Sequence, residues 1–559
     1  MKRIQCDVLV VGGGGAGLMA AYSATKHNVK VALVNKGKVQ RTGVTIMAPG
    51  AIAAVDDRWK KAGDSKGLHM EDTVRGGGFI NNAKMVKEMV DRSPDLVLEL
   101  EHMGALMQRE PDGKQYMLRI DGGHSYSRCP FIEDRVGKEM VKAMASALAK
   151  RNVDLYENII VTRLLVEGGR IAGAAGISVI DLEPVLFECT SVILATGGSG
   201  SVYANTDNSI DMTGDGFALA LKAGARLRDM EFVQFYPIGL LFPPALKGML
   251  GGLCYYCRLY NSKGERFMEK YDPEKLELST RDRVSRAIMQ EVKEGRGSPC
   301  GGVYMDLTFN EPGFIARMTP ALYATYRNIG IDPEKEMIEI APTAHFIMGG
   351  MDVNEKWETN VKGLFGAGEV CGGMHGGNRL SQNALAEVLV SGSIAGGSAA
   401  LYSERAERTE VDPGTLRREI QSVDTLLNSR AGLEAHEIKA KLKTIMWEKV
   451  GVTRNEQQLK EAYREICSLE KEPVFVRDKV RNCNRSISEA FELNGMLTAS
   501  KSIVISASER RESRAAHFRS DYPETDDKNY LVNILLQLRE NELVTSVRKV
   551  ETANLEGVN

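Results

Sequence analysis

The N-terminal segment constrains the fold of this chain more than any other stretch. Val8 to Val11 is a short apolar run rich in β-branched residues, which predicts a buried strand. The spacing G-x-G-x-x-G follows at Gly12, Gly14 and Gly17, and Val29 to Val34 predicts the second strand of a βαβ unit. Glycine permits the tight turn, and the N-terminus of the intervening helix offers N–H groups to a pyrophosphate. The segment therefore predicts a dinucleotide-binding domain.

The end of the second predicted strand departs from the dinucleotide fingerprint. An acidic residue that binds a ribose hydroxyl is expected there, whereas this chain has Asn35 and Lys36. An Asn amide can still hydrogen-bond a ribose hydroxyl, so we still expect a ribose site at this position. The fingerprint alone leaves the choice between FAD and NAD open.

Composition places the chain among soluble globular proteins with more than one domain. It has 559 residues, of which 43% are hydrophobic and 26% charged. The formal net charge of -2 gives no electrostatic reason to expect nucleic acid or an anionic membrane as a partner.

The cysteines indicate a reducing compartment. Nine are scattered through the chain, and only Cys254 and Cys257 form a C-x-x-C pair, so neither a disulfide framework nor a set of iron–sulfur or other metal ligands is predicted. The interpretation preferred for this pair is two buried thiols rather than a redox disulfide. No signal peptide and no membrane span are predicted, which favours a cytoplasmic protein, or one held at a membrane surface by a partner.

Further along the chain, the pattern of a strand followed by glycines recurs. It appears at Ser191 to Gly198 and again at Gly363 to Glu369, so the chain leaves the first domain and returns to it. Four short strands between residues 153 and 189 predict a β-meander. A helical pattern over residues 83 to 104 is interrupted at Ser93–Pro94. Beyond residue 401 the composition is charged and helical.

Eleven ordered motifs together resemble the flavoprotein subunits of succinate dehydrogenase and fumarate reductase, with L-aspartate oxidase as a sister. They lie at residues 12–17, 195–198, 213–216, 228–235, 264–268, 281–282, 342–350, 366–369, 375–380, 511–517 and 526–531. The resemblance implies an α/β fold: a discontinuous, Rossmann-like FAD-binding domain, an inserted α+β capping domain and a C-terminal helical domain. The implied ranges are 1–231 and 345–400 for the FAD-binding domain, 232–344 for the capping domain and 401–559 for the C-terminal domain.

The resemblance also implies FAD and a set of residues that hold it. These are Gly12, Gly14, Gly15, Ala16, Gly17, Asn35, Lys36, Thr42, Gly43, Gly198, Asp215, Glu369, Arg379, Asn383 and Leu385. The implied reaction exchanges a hydride between flavin N5 and a C–C bond next to a carboxylate.

Three catalytic residues follow from the same motifs. His345 and Arg379 would bind and polarise the substrate carboxylate, since a guanidinium fork matches carboxylate geometry. Arg281 would move the proton on the other carbon, a role that rests on the resemblance because the pKa of free Arg is above about 12. Without the resemblance, His345 would be read as a core histidine and Arg379 as an ion pair at a helix end.

Three departures from the family pattern bear on function. The loop Arg41 to Ala51 contains no His, so FAD is expected to be non-covalent, which favours reduction over succinate oxidation. Tyr236 to Gly239 replaces His-Pro-Thr-Gly, which leaves Tyr236 as a substrate-binding candidate beside His345 and Arg379. Met249 to Arg258 replaces the segment that carries a Thr-Glu pair, so half of a dicarboxylate clamp is rebuilt.

The sequence therefore predicts the flavoprotein subunit of a larger electron-transfer complex. It would act on a small carboxylate, either fumarate or another enoate, and receive electrons from a separate iron–sulfur subunit. Two alternatives remain open: an amino-acid oxidase like L-aspartate oxidase, and an electron-relay flavoprotein with a vestigial substrate site.

Overall fold

The predicted βαβ unit supplies the central strand and one neighbouring strand of a five-stranded parallel sheet. A computed structural model describes residues 2–120, 122–412 and 414–550. The sheet has the strand order Leu364–Gly366, Ser191–Leu194, Val8–Val11, Val31–Asn35 and Val153–Glu157. Every neighbouring pair is parallel, and the first four of these strands are fully buried. Residues from three distant parts of the chain thus build one domain, as the recurring strand–glycine pattern predicts.

Two helices pack closely on one face of this sheet. Gly15–Ala24 starts directly after the glycine turn, and Asn383–Ser403 lies against it. A Cβ atom at Gly396 would lie 2.2 Å from the carbonyl oxygen of Ala20, so only glycine permits this approach. Because both helices carry small residues at this contact, Asn383–Ser403 can lie close to the helix that follows the glycine turn.

The predicted β-meander is correct for three of its four strands. Ile159–Glu167, Arg170–Ser178 and Pro184–Glu188 are antiparallel, and Lys2–Gln5 adds a parallel edge strand. The first of the four predicted strands is Val153–Glu157, and it belongs to the parallel sheet instead, because it pairs with Val31–Asn35. Strand content was therefore predictable, whereas the choice of sheet depended on a distant partner.

The predicted helix interruption at Ser93–Pro94 is wrong. One helix runs from Ala83 to His102 with Pro94 inside it. Ser93 and Pro94 are both buried, so packing against the core outweighs the cost of about 3 kcal/mol for a proline within a helix. Neighbouring helices are Lys66–Gly76 and Val136–Leu148, and Asp215–Lys222 follows the meander.

The capping region has a sheet and a hydrophobic core of its own. Its four antiparallel strands have the order Val233–Leu240, Ile338–Ile347, Val303–Asp306 and Arg258–Tyr260. Its helices are Met268–Tyr271, Arg281–Glu291, Phe314–Met318 and Pro320–Asn328. The two long strands lead from the first domain into the cap and back, which holds the cap over the carboxyl ends of the parallel strands.

The C-terminal region is mostly helical but ends in a β-hairpin. Its helices are Thr415–Leu427, Ala435–Lys449, Glu456–Lys471, Arg485–Glu509 and the short Asp527–Tyr530. The hairpin of Val532–Arg539 and Glu542–Lys549 extends a sheet through Leu227–Arg228, Gly350–Asp352 and Cys371–Gly372. This hairpin was not predicted, because periodicity does not separate a short apolar strand from a buried helical turn.

Arg510 joins this C-terminal region to the first domain. Its guanidinium is fully buried, donates to Glu231 Oε1 at 2.6 Å and Glu512 Oε1 at 2.9 Å, and donates to the carbonyl oxygens of Tyr530 and Val532 at 2.8 Å each. One side chain thus fixes the segment that leads into the cap and the turn that leads into the hairpin.

We expect Arg510→Leu to destabilise the protein by about 3–5 kcal/mol, because it leaves the buried carboxyl of Glu231 without its cation and the carbonyl oxygens of Tyr530 and Val532 without this donor. Urea unfolding followed by circular dichroism measures the change. The control is Arg511→Leu, the exposed neighbour, for which we expect a shift within about 0.5 kcal/mol. Equal midpoints for the two variants would contradict the assigned role.

Candidate active site

A cavity of about 1350 Å³ lies between the parallel sheet and the cap. Its lining includes Gly12, Asn35, Ala195 and Ala367, which follow or end four of the parallel strands. The carboxyl ends of parallel strands are where open α/β sheets bind their ligands. The opposite wall comes from the cap, so the cavity is bounded by both parts of the molecule.

The glycine turn forms the first wall of this cavity. Gly12 has a φ of +115°, and a Cβ there would lie 2.2 Å from the carbonyl oxygen of Ala195. A Cβ at Gly17 would lie 1.9 Å from the carbonyl oxygen of Gly12. The helix begins at Gly15 with Gly14 as its N-cap, so the N–H groups of its first turn lie at the cradle that these glycines leave open, and that of Gly15 donates to Thr45 Oγ1 at 3.3 Å. This geometry fits a dinucleotide pyrophosphate.

Asn35 and Lys36 both line the cavity, but their polar atoms bind protein groups. Asn35 accepts from the N–H of Gly13 at 3.0 Å and donates to Thr42 Oγ1 at 3.0 Å, which braces the glycine turn. Lys36 donates to Asp215 Oδ2 at 2.9 Å and Glu492 Oε1 at 3.1 Å. Burial alone would lower the pKa of Lys36, but these two carboxylates outweigh it and raise the pKa above its usual range.

The remaining predicted FAD residues fall into two groups. Those that line the cavity are Gly12, Gly14, Gly15, Ala16, Thr42, Gly43, Asp215, Glu369, Arg379 and Leu385. Gly17, Gly198 and Asn383 lie behind that surface among the described residues. Asn383 donates to Thr73 Oγ1 at 2.9 Å and contacts His69 Nε2 at 2.9 Å, so it supports the site from within the core.

Glu369 is one of the acidic residues that line the cavity. A Cβ at Gly198 would lie 2.3 Å from Glu369 Oε1, so glycine there makes room for the carboxyl group. The carboxyl accepts from the N–H of Ile347 at 3.0 Å, and burial raises its pKa to about 8. A carboxyl in this state is ready to exchange hydrogen bonds with ribose hydroxyls.

Three predicted catalytic residues converge at the far end of the cavity. Arg379 donates to Gln234 Oε1 at 3.0 Å, and Arg281 lies 3.5 Å from the same oxygen. Arg281 also donates to Ser381 Oγ at 2.7 Å, while His345 Nδ1 lies 2.6 Å from an oxygen of Asp207. All three reach the cavity surface.

Gln234, Ser381 and Asp207 are functional neighbours that were not singled out from the sequence. Gln234 lies in a motif quoted for the resemblance, but nothing in its residue type indicates that one amide oxygen would face two guanidinium groups. Asp207 follows an irregular segment and carried no sequence signal.

The charges at this end of the cavity favour the binding of an anion. Burial and the charge of Arg281 lower the pKa of Arg379 to about 9, and Arg379 Nε has no hydrogen-bond partner among the described residues. Burial also lowers the pKa of His345, against the opposing effect of Asp207. A bound carboxylate would offset both penalties, since its negative charge stabilises the charged forms of these groups.

Aromatic rings lie against the side chains of these three residues. The ring of Tyr236 lies 4.8 Å from the guanidinium carbon of Arg281 and 5.6 Å from the imidazole of His345. Phe346 lies 4.8 Å from the guanidinium of Arg379. Such contacts stabilise a desolvated cation by about 2 kcal/mol, so Tyr236 helps to hold Arg281 in place.

The side chains of Cys254 and Cys257 are both buried. Cys257 donates from Sγ to the carbonyl oxygen of Cys254 at 3.4 Å, and burial raises the pKa of its thiol well above the usual range. A thiol in this state is a poor nucleophile.

The part of the chain that the structure describes contains no group of three or more side chains suited to hold a metal ion.

Comparison with known proteins agrees with this architecture. The FAD binding domain family matches residues 7–385, and the family of C-terminal domains of fumarate reductase flavoproteins matches residues 439–557. The chain is 40% identical over 534 residues to one subunit of the fumarate reductase (CoM/CoB) of Methanothermobacter marburgensis, covering 93% of this chain and 95% of that one. It is 34% identical over 566 residues to the fumarate reductase flavoprotein subunit of Mycobacterium tuberculosis, covering 95% and 94%.

Solved structures give the same result. A variant of E. coli quinol fumarate reductase FrdA superposes with a TM-score of 0.93 at 31% identity, over 99% of this chain and 98% of that one. Mycobacterium smegmatis Sdh1 in complex with UQ1 gives 0.90 at 35% identity, over 99% and 95%. The protein is therefore an FAD-dependent oxidoreductase. It belongs to the succinate dehydrogenase and fumarate reductase family of flavoprotein subunits.

One described helix, Asn383–Ser403, is long and apolar enough to cross a membrane, but 61% of its apolar window is buried in the protein. Its contact with the helix Gly15–Ala24 shows that it is a core helix of the FAD-binding domain.

We expect acid precipitation to release all of the flavin into the supernatant. The loop 41–51 contains no histidine, and the two histidines that line the cavity are engaged elsewhere: His124 contacts the carbonyl oxygen of Ser381 at 2.6 Å, and His345 contacts Asp207. Flavin absorbance before precipitation gives the total. Flavin that stays in the washed pellet would contradict non-covalent binding.

Proposed function

We propose that the protein reduces the C=C bond of an enoate, an α,β-unsaturated carboxylate, as the catalytic flavoprotein subunit of an electron-transfer complex. The observation that carries this proposal is the convergence of Arg281, His345 and Arg379 at one end of the FAD cavity. Two guanidinium groups and an imidazole provide both a carboxylate site and a proton donor within one pocket.

Binding of the carboxylate falls to Arg379 and His345. Arg379 is buried and held by Gln234, so its fork is oriented before the substrate arrives. Asp207 orients the imidazole through Nδ1, which leaves Nε2 directed to the ligand side. Both groups stabilise the negative charge that moves toward the carboxylate during reduction.

Arg281 supplies the proton. Its contacts with Ser381 Oγ and Gln234 fix the guanidinium, and the ring of Tyr236 supports its face. The nearby cation Arg379 favours the release of a proton from this pair, because two like charges repel in a buried site. FAD, when bound, supplies the hydride.

The source of the electrons lies outside this chain. The relatives are named as subunits of larger enzymes, and a partner that holds an iron–sulfur centre would connect the flavin to a donor. We infer that the protein works in the cytoplasm or at the membrane surface through such a partner. We expect it to work in the direction of reduction, which non-covalent binding of FAD would favour.

Replacement of Arg281 by lysine tests the proposal. We expect Arg281→Lys to lower enoate-dependent oxidation of reduced viologen by about 10²-fold or more, because a positioned proton donor contributes about 10²–10⁴-fold. Arg283→Lys is the matched control, since Arg283 lies on the same helix but is half-exposed and pairs with Asp272. An Arg281→Lys enzyme that keeps its flavin and its enoate-dependent turnover would contradict the role of Arg281 as proton donor. A wild-type enzyme that passes electrons to an artificial acceptor but reduces no enoate would favour an electron relay. Peroxide and an imino acid formed from an amino acid would favour an oxidase.

The affinity for the enoate is expected to rise as the pH falls from about 8 to about 6. His345 in the free enzyme has a lowered pKa and carries its hydrogen on Nδ1 toward Asp207, so it must take up a proton to donate from Nε2 to a carboxylate. KM therefore increases with pH, by at most about tenfold per unit for one proton.

Steady-state kinetics across this range measure the effect. His345→Gln is the matched variant, because an amide donates a hydrogen bond without titrating, and its KM should not vary with pH. A wild-type KM that stays constant from about pH 6 to about pH 8 would contradict this coupling.

A further inference from the structure

The cavity extends beyond the three catalytic residues, and a group of apolar side chains lines part of the extension. Its lining there includes Met249, Leu250 and Leu253 of the rebuilt cap segment, Leu322 of the following cap helix, and Met117 and Phe131 of the first domain. We call these six residues the apolar wall. They occupy the side of the pocket where the resemblance places the second half of a dicarboxylate clamp.

The apolar wall is firmly held. The N–H of Gly251 donates to the carbonyl oxygen of Ile238 at 2.8 Å, and the hydroxyl of Tyr326 donates to the carbonyl oxygen of Gly251 at 2.8 Å. The carboxylate of Asp134 accepts from the N–H groups of Ala321 at 2.9 Å and Leu322 at 3.2 Å. The wall is therefore part of the ordered cap and is linked to the first domain.

The mouth of the cavity is apolar as well. Ile120 and Leu278 line it, and they are 56% and 63% exposed. These two aliphatic side chains continue the apolar character of the wall to the cavity rim.

The cationic groups assigned to the substrate provide a site for one carboxylate, next to the reacting bond. Lys36 is bound by Asp215 and Glu492 at the nucleotide end, and Arg281 and Arg379 are the residues already described. Among the described side chains, the other cationic groups on the lining are Arg119, whose guanidinium lies 4.0 Å from the ring of Phe131, and the exposed Arg317. Tyr236 stands where a further cation would be needed to hold a second carboxylate.

We propose that the substrate class is a monocarboxylic enoate that carries an apolar substituent about the size of an aromatic ring on its β-carbon. This inference rests on the proposed function and refines it. Arg379 and His345 take the carboxylate, Tyr236 and Arg281 flank the double bond, and the apolar wall takes the substituent.

The reduction of such a substrate balances in atoms and in electrons. A hydride forms a C–H bond at the β-carbon, and the π bond breaks as its electron pair moves to the α-carbon. The α-carbon then takes a proton from Arg281, which solvent restores. The acid gains two electrons and two protons in all and leaves saturated, while reduced viologen or the partner returns two electrons to the enzyme.

Substrate comparison tests the inference on the holoenzyme with reduced viologen. We expect kcat/KM for trans-cinnamate to exceed that for crotonate by at least about tenfold, since each apolar group in a matching pocket contributes about 10–200-fold. We expect fumarate to be poorer still, because its second carboxylate would be desolvated against the apolar side chains of the wall.

Two variants link the preference to the wall. Leu250→Trp fills the extension and should lower the ratio of cinnamate to crotonate kcat/KM by at least about tenfold, with flavin content as the measure of folding. Leu250→Ala, which leaves room, serves if the larger side chain prevents folding and should shift preference toward bulkier substituents. Tyr236→His restores an imidazole and should raise the ratio of fumarate to cinnamate kcat/KM.

The outcomes separate this inference from the proposed function. Fumarate or crotonate as the best substrate would overturn the apolar-substituent inference and leave enoate reduction intact. Preference for 4-carboxycinnamate over cinnamate would also overturn it and would point to an anion site at Arg119 or Arg317. No turnover with any enoate, despite full flavin, would overturn both.

Discussion

One buried and one partly buried guanidinium group that face the same amide oxygen are the constraint on which this active site depends. Arg281 and Arg379 both reach Gln234 Oε1, and each repels the other in a region shielded from water. Such an arrangement favours an anion between the two groups, because a carboxylate would offset the repulsion between the two cations. The rest of the architecture brings these two side chains together: Arg281 starts a cap helix, and Arg379 precedes the core helix of the FAD-binding domain.

The cofactor region and the substrate region follow different physical rules. The nucleotide region is built from backbone, with glycines at positions where a Cβ would collide with a carbonyl oxygen. The substrate region is built from side chains that are oriented by neighbours, such as His345 by Asp207 and Arg281 by Ser381. The first can bind any molecule with a pyrophosphate, whereas the second sets the chemistry and, through the cap, the size of the substrate.

This division explains what could be predicted from the sequence. The glycine turn and the parallel strands were predictable because their spacing reflects local backbone geometry. The roles of Arg281, His345 and Arg379 came from motifs, and their convergence is a property of the fold that no local pattern contains. Gln234 and Asp207 were missed for the same reason. The unbroken helix through Pro94 and the terminal hairpin depended on packing with distant segments, which outweighed local signals.

The central claim is that the arginine pair and its cavity reduce a carboxylate-activated double bond. The most direct test is anaerobic stopped-flow reoxidation of the chemically reduced holoenzyme by a series of enoates, with flavin absorbance as the signal. We predict rapid, saturable reoxidation by at least one enoate, with a stoichiometric yield of the saturated acid. Reduced flavin that stays reduced with fumarate, crotonate and cinnamate alike, while it still reacts with an artificial acceptor, would contradict this claim.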